Sequence, residues 1–273
     1  MSLLETTKFL LRRHRIFPNK LLGQNFLIEP SIFQSLSDYA SLTQEDVVLD
    51  IGAGFGFLTR FLANSCKSVL AVESDAQLVK ALCEQLKDVL NVQIIKGNVL
   101  KVPIPEFNKV ISIPPYHISS HLLLWLLDQR FDCAVLIFQK EFARRLVAPI
   151  GNGGYGWLTV LTYYNAEAEV LDTVPKPMFY PQPKVNSAIV RLKPRKQAPF
   201  RLKNEMLFRQ MLQSLFTQRN RKVKNAVIPY TKGKLATAMK NPCMLTTHLP
   251  FRDKRVRELA PEDFGALANV LFG

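Results

Sequence analysis

At 273 residues, with 48% hydrophobic side chains, the chain can bury a full core and has room for one large domain and a smaller one. Its longest apolar candidate for a membrane span, residues 122–127, covers six positions, far short of the roughly 20 that a spanning helix needs. The net charge of +14 is uneven: residues 191–273 carry 18 Lys and Arg against 5 Asp and Glu, residues 1–20 carry 5 against 1, and residues 21–190 come to −3.

A mildly acidic centre between basic ends fits a catalytic domain whose flanks grip a phosphate backbone, and a merely solvated basic surface would look the same. The first 20 residues lack the apolar centre and cleavage site of a secretory signal. Beyond them, apolar β-branched runs predict strands at residues 47–51, 69–72, 92–95, 110–113 and 134–138. Helical spacing at residues 58–63, 77–86, 119–127 and 140–147 fills the gaps between most of them. This βαβ rhythm implies a mostly parallel sheet covered on both faces, with its first strand near the centre.

Residues 159–164, 168–173 and 185–192 read as further strands without intervening helices, an antiparallel end to the sheet. Pro175, Pro177, Pro181 and Pro183 predict an exposed, stiff loop before the last of these. After Pro194 the pattern becomes helical at residues 205–216, 223–227 and 261–271. The expected organisation is a basic segment 1–20, an α/β domain 21–194 and a small α-helical domain 195–273.

The first strand runs into Asp50-Ile51-Gly52-Ala53-Gly54-Phe55-Gly56, a glycine-rich turn that lets backbone approach a ligand. A dinucleotide fingerprint would need its third glycine at position 57, which is Phe57, so the G-x-G-x-G form disfavours NAD. Glu73 closes the second strand 17 residues beyond Gly56, where a carboxylate can accept from both hydroxyls of an adenosine ribose. Asn98 ends the third strand, where its amide can meet an adenine edge or serve an ordinary turn.

These features, together with Leu22-Gly23-Gln24-Asn25-Phe26-Leu27, Pro114-Pro115-Tyr116, Gln139-Lys140-Glu141 with Arg145-Leu146, the segment from Phe179 to Ser187 and the segment from Phe216 to Asn225, run in order from about Asn19 to the C-terminus. They resemble the ribosomal small-subunit RNA adenine dimethyltransferase family, whose relatives include erythromycin-resistance methyltransferases and mitochondrial transcription factors B. The resemblance implies a Rossmann-like methyltransferase sheet, S-adenosyl-L-methionine as cofactor, and N6,N6-dimethylation of adenines in small-subunit ribosomal RNA during ribosome biogenesis. It assigns Gln24, Asn25 and Leu27 to closing over the cofactor, Gly52, with the rest of its turn including Gly54, and Glu73 to holding it, and Asn98 to facing its adenine. The family usually has Asp at position 98; an Asn keeps the acceptor and loses the charge, which predicts weaker cofactor affinity.

In the catalytic segment the family pattern Asn-Leu-Pro-Tyr, aligned without a gap, puts Ile113 where Asn should stand. An adenine amine is methylated by hydrogen-bonding its two protons, aligning its nitrogen with the methyl and stacking the base. Pro114 offers its backbone carbonyl and Tyr116 its ring; the side-chain acceptor is missing at Ile113. A one-residue shift that brings Ser112 into the role stays open, as does slow catalysis. By resemblance Phe179 is the second stacking aromatic, so that it and Tyr116 sandwich a base drawn out of its helix.

Arg219, Arg221, Lys222 and Lys224 fall within six positions, and Arg252, Lys254, Arg255 and Arg257 add a second cluster. Phosphates are their natural counter-charge, while helical spacing of Arg221 with Lys224 and of Arg255 with Glu258 allows solvated helix surface or an intrahelical pair. Two rivals accompany this reading: the same chemistry on another RNA, and a non-catalytic or weakly catalytic RNA-binding assembly factor, which Ile113 favours.

Cys66, Cys83, Cys133 and Cys243 have no paired spacing, so buried, reduced thiols in a cytoplasm are expected. His14, His117, His121 and His248 show no metal-ligand spacing, and Asp46 with Asp50, like Glu167 with Glu169, reads as surface or turn carboxylates. A monomer with ribosomal RNA as partner and neither metal nor membrane completes the expectation.

Overall fold

The computed structural model describes residues 1–19, 23–228 and 249–272; Lys20, Leu22, Cys243 and His248 lie outside them. The chain divides into two units, Met1–Ala143 with Glu167–Pro194, and Arg144–Ala166 with Arg195–Gly273.

In the first unit, helix α1 (Leu3–Arg13) starts at a capping box in which Ser2 and Glu5 satisfy each other's backbone N–H groups. A short strand β1 (Phe26–Leu27) and helix α2 (Pro30–Ala40) follow. The sheet is then built by β2 (Val47–Ile51), α3 (Phe57–Ala63), β3 (Ser68–Glu73), α4 (Ala76–Gln85), β4 (Val92–Lys96), β5 (Lys109–Ser112), α5 (Ser119–Leu127) and β6 (Cys133–Gln139). After α6 (Lys140–Leu146) and α7 (Trp157–Asn165), strands β7 (Ala166–Val174), β8 (Phe179–Tyr180) and β9 (Ser187–Pro194) follow.

The seven-stranded order is β4-β3-β2-β5-β6-β9-β7. Strands β2 to β6 pair in parallel and β9 joins β6 antiparallel, with Gln139 opposite Ser187. The chain therefore moves outward from β2 to β4 and then returns to lay β5 beside β2. Reversal at β2/β5 leaves a crevice at the carboxyl ends of those strands, the place where open α/β sheets bind ligands. Val48, Val69, Ile111, Val135 and Ile137 share one core cluster with Phe33 and Leu36 of α2 and Leu58 and Leu62 of α3. Side chains buried on both faces explain why these strands read as continuous apolar runs.

Residues 159–164 are not a strand. They belong to α7, where Leu158, Thr159, Val160, Leu161, Thr162 and Tyr164 are all buried. A helix apolar on nearly every side carries no amphipathic period, so its β-branched content misleads. Gly156 opens it, and Thr159 Oγ1 accepts the Gly156 N–H at 3.0 Å while donating to the Arg145 carbonyl at 2.6 Å.

The proline-rich stretch also departs from a free loop. Phe179 and Tyr180 form β8, paired antiparallel with β1 so that Leu27 faces Phe179. Pairing with β1 satisfies the backbone and lets Phe179 sink to 1% exposure in the core.

The second unit is helical beyond α7: α8 (Glu205–Thr217), α9 (Val223–Ala226) and α10 (Pro261–Phe272). Its core is aromatic. Phe216 packs on Tyr155 and Phe264 with ring centroids 5.8 and 5.3 Å apart, and Tyr155 Oη donates to the Leu259 carbonyl at 2.8 Å. Among the described residues no helix is long and apolar enough to cross a membrane, and no group of three or more His, Cys, Asp or Glu side chains could hold a metal ion.

Candidate active site and nucleic-acid surface

One pocket fills the crevice at the β2/β5 reversal. Its lining includes Gln24, Asn25, Leu27, Gly52, Gly54 and Glu73 on one side of the chemistry, and Ile113, Pro114 and Tyr116 on the other. Gly52 and Gly54 have φ of +77° and +58°, a region closed to most L-residues. A Cβ at Gly52 would meet Pro115 Cδ at 2.9 Å, so the glycine turn and the Pro114-Pro115-Tyr116 segment can abut only because position 52 has no side chain.

Glu73 is 6% exposed. Its Oε2 accepts the Gly54 N–H at 3.0 Å, and its Oε1 accepts those of Ser74 and Asp75 at 2.7 and 2.9 Å. Burial raises its pKa against the pull of these three donors. A carboxylate has about four acceptor sites, so one remains for a ligand hydroxyl rather than two. Gln24 Nε2 donates to Asp75 Oδ2 at 2.9 Å and Asn25 Nδ2 to the Gly23 carbonyl at 3.0 Å, which ties the entry loop to the cap of α4. The Asp75 N-cap, whose Oδ1 accepts from Gln77 and Leu78, is a visible sequence signal whose second use as the Gln24 partner was missed.

Asn98 is absent from the lining; its Oδ1 accepts the Leu100 N–H at 3.0 Å in a local turn, the ordinary role open to it. Phe179 is likewise outside the lining, packed among Leu27, Phe33 and Val174, and so offers no free ring face here. Tyr116 does line the pocket, and its Oη lies 2.6 Å from Ser187 Oγ at the start of β9. Burial pushes the Tyr116 phenol up to about 12, so it stays neutral.

Ser112 is bonded to the neighbouring strand. Its Oγ accepts the Ile51 N–H at 2.9 Å and donates to the Ile51 carbonyl at 2.7 Å, completing the β2–β5 ladder from a fully buried position. It is outside the pocket lining, so it presents no acceptor there. Ile113 lines the pocket itself, and among the described residues no backbone N–H donates to the Pro114 carbonyl.

Asp46 and Asp50 are both buried, not surface carboxylates. Asp46 accepts from Thr43 and Asn108. Asp50 lines the pocket, accepts from Thr59 Oγ1 at 2.7 Å, and is pushed up to about 7, by burial first and by the charge of Glu73 second. A folded pKa above the unfolded value means that the native state keeps a proton the unfolded chain has lost. Asp50 therefore costs stability as pH rises from about 4 to 7, on the order of 4 kcal/mol across the window. Asp50→Asn keeps an acceptor for Thr59 and removes that dependence. In urea titrations the wild type is expected to lose up to about 3 kcal/mol more than the variant between pH 5 and 8; parallel pH profiles would contradict the assignment.

The thiols divide: Cys66 and Cys133 are buried and Cys83 is exposed, because it falls on the outer side of α4. Burial pushes the Cys66 thiol up to about 11.

In the second unit the two cationic clusters form one surface. Lys222 bridges Arg255 in antiparallel fashion, and the Val223 and Lys224 N–H groups donate to the Lys254 and Arg252 carbonyls at 2.9 and 3.1 Å. The Val256 and Arg257 N–H groups donate back to Arg221 and Arg219 at 3.0 Å each. Helix α9 starts at Val223, so Arg221 and Lys224 do not share a helical face. Arg219 is occupied structurally, donating to the carbonyls of Gly153 at 2.9 Å and Asn152 at 3.1 Å. Lys222, Lys224 and Arg252 share one carboxylate, Asp253, at 3.7, 2.7 and 3.7 Å, and Arg255 stands 3.9 Å from Glu258. Lys254 lies 5.2 Å from the Phe251 ring centroid.

A doubly wound sheet with an antiparallel end, and a glycine-walled pocket at its reversal carrying a buried carboxylate, fit a Rossmann-like methyltransferase fold. A family model described as ribosomal RNA adenine dimethylase matches residues 17–260, and the chain belongs to that family. It is 40% identical over 251 residues to a probable ribosomal RNA small subunit methyltransferase A of Methanosarcina acetivorans, covering 91% of this chain and 92% of that one. Among solved structures it is similar to a dimethyladenosine transferase from Plasmodium falciparum, with TM-score 0.75, 26% identity, and 88% and 94% of the two chains covered. The 23S rRNA methyltransferase ErmE gives TM-score 0.65, 28% identity, and 90% and 99% coverage.

Proposed function

We propose that this protein transfers methyl groups from S-adenosylmethionine to N6 of adenine in small-subunit ribosomal RNA, making N6,N6-dimethyladenosine. One observation carries the reading: a single pocket is walled both by Gly52, Gly54 and Glu73 and by Pro114 and Tyr116. A cradle that any Cβ at Gly52 would fill, with a buried carboxylate beside it, fits the nucleoside part of that cofactor. The cofactor supplies the electrophilic methyl.

The chain's own residues supply position and polarity. Gln24, Asn25 and Leu27 close the entry, Glu73 takes one ribose hydroxyl with its remaining acceptor site, and Asn98, outside the lining with its Oδ1 engaged by Leu100, has only its amide nitrogen to offer an adenine edge. The Pro114 carbonyl accepts one amine proton, and Tyr116, held by Ser187, stacks on the base. Phe179 can join the stack only if β8 shifts. Residues 21–194 are proposed to carry the chemistry and residues 195–273 the RNA grip, with Arg221 most available to phosphate, Lys222, Lys224 and Arg252 sharing Asp253, Lys254 paired with Asp263, Arg255 with Glu258, and Arg219 acting through the loop it holds. Such contacts position an RNA, and its folded shape selects the site. The choice of the small-subunit RNA is supported by the name of the Methanosarcina relative.

Ile113 supports a second reading, a slow or silent enzyme that acts by binding the subunit. Incubating the protein with unmethylated small subunits and labelled cofactor, then digesting the RNA for mass spectrometry, separates the two. Dimethyladenosine is the expected product; tight subunit binding without any methylated adenosine leaves only the second.

A further inference from the structure

Helix α1 is anchored to the wall of the pocket. Leu10, Leu11 and Ile16 share a buried cluster with Phe55, Leu78 and Ala81, against which Phe26, Phe57 and Tyr180 also pack; Phe26, Phe55, Phe57 and Leu78 line the pocket. The chain after α1 is tied in as well, the Asn19 N–H donating to Gln24 Oε1 at 2.8 Å.

The outer side of this element is unlike an ordinary solvated surface. Phe9 is 51% and Phe17 88% exposed, although burying a Phe side chain contributes about 1.5–3 kcal/mol. Phe9, Arg12 and Arg13 fall at i, i+3 and i+4 and share a face. Arg12, Arg13 and Arg15 are all exposed. Among the described residues one carboxylate answers them closely: Glu84, 3.2 Å from Arg13 and itself half-exposed. Lys8 lies 5.3 Å from the Tyr180 ring centroid. Exposed aromatic rings interleaved with cations, on a helix whose inner face packs against pocket-lining side chains, are the combination that holds single-stranded nucleic acid by stacking and phosphate contact.

We propose that the outer face of α1 and the turn after it hold the single-stranded RNA flanking the target adenine, with Arg12 and Arg15 on phosphates and Phe9 and Phe17 stacked on neighbouring bases. The inference rests on the reading of the pocket as an RNA-adenine site, and it adds a second grip beside the pocket itself.

The test uses the full chain, S-adenosylhomocysteine in excess, and a labelled adenine-containing oligoribonucleotide of about ten nucleotides, followed by anisotropy across a salt series. The Phe9→Ala/Phe17→Ala pair is expected to weaken binding at least 10-fold with the salt slope unchanged, since stacking contributes about 1–3 kcal/mol per base. Arg12→Gln/Arg15→Gln is expected to flatten the slope by about 1.4, or roughly 0.7 per phosphate on a single strand. Affinity for S-adenosylhomocysteine, measured separately, stays at the wild-type value in both. Wild-type RNA affinity in the Phe pair, or no oligoribonucleotide binding by the wild type, overturns the proposal, including the case where α1 receives a ribosomal protein instead. If the wild type still methylates small-subunit RNA in that case, the fault lies with this surface alone; if it does not, the reading of the pocket fails with it.

Discussion

Ile113→Asn is expected to raise the single-turnover rate of methyl transfer about 10²- to 10³-fold, the usual effect of one well-placed hydrogen-bonding group on a transition state. As the nitrogen attacks, its two protons become more acidic and each needs an acceptor. Among the described residues no backbone N–H donates to the Pro114 carbonyl, which can take one. Position 113 offers no acceptor for the other: Ile113 presents a hydrocarbon to the pocket, and Ser112 lies outside its lining, bonded to Ile51. An Asn side chain is smaller than Ile, so it enters without overpacking, and its Oδ1 supplies the acceptor. Ile113 also packs against the main core cluster, so the variant should lose about 1–2 kcal/mol of stability from reduced apolar burial. Labelled methyl transfer into unmethylated small subunits, at saturating cofactor, reads the rate directly. An unchanged rate with unchanged cofactor affinity would show that position 113 does not limit catalysis.

The second large effect is expected at Glu73. Glu73→Ala should reduce affinity for S-adenosylhomocysteine by at least 100-fold. The side chain organises the site as well as contacting it: three backbone N–H groups, from Gly54, Ser74 and Asp75, converge on its carboxylate. Hydrogen bonds to a charged group contribute about 1.5–3 kcal/mol each, and buried donors left without acceptors cost a comparable amount. The glycine turn then loses the anchor that fixes its left-handed residues, and the ligand loses its own acceptor. Circular dichroism of the variant separates local damage from unfolding; near-wild-type affinity in a folded variant would remove Glu73 from the cofactor site.

The sheet and the glycine-walled pocket were legible because parallel strands buried on both faces leave continuous apolar runs, and because Gly52, Gly54 and Glu73 sit at fixed distances along one βαβ unit. The rest of the site depends on contacts between segments far apart in sequence. Leu27 meets Phe179 through a two-residue strand pairing, which no local period announces, and this pairing turns an apparent loop aromatic into a core residue. Ser187 reaches Tyr116 across 71 positions. Asp50 belongs visibly to the glycine turn, yet its raised pKa follows from tertiary burial beside Glu73, which the hydrogen bond from Thr59 of helix α3 only partly offsets. Residues 159–164 misled for the opposite reason: their local pattern was strong, and a fully buried helix overrode it. The two basic clusters were legible as charge, while their joining into one surface by the Lys222–Arg255 bridge was not.

The pocket at the β2/β5 reversal should act as a nucleoside site for the methyl donor. Isothermal titration of the wild-type chain with S-adenosylhomocysteine addresses it without involving any RNA. Saturable binding of one molecule per chain, abolished or strongly weakened by Glu73→Ala, is the predicted result; absence of binding to the folded wild type, or binding indifferent to Glu73, would contradict it.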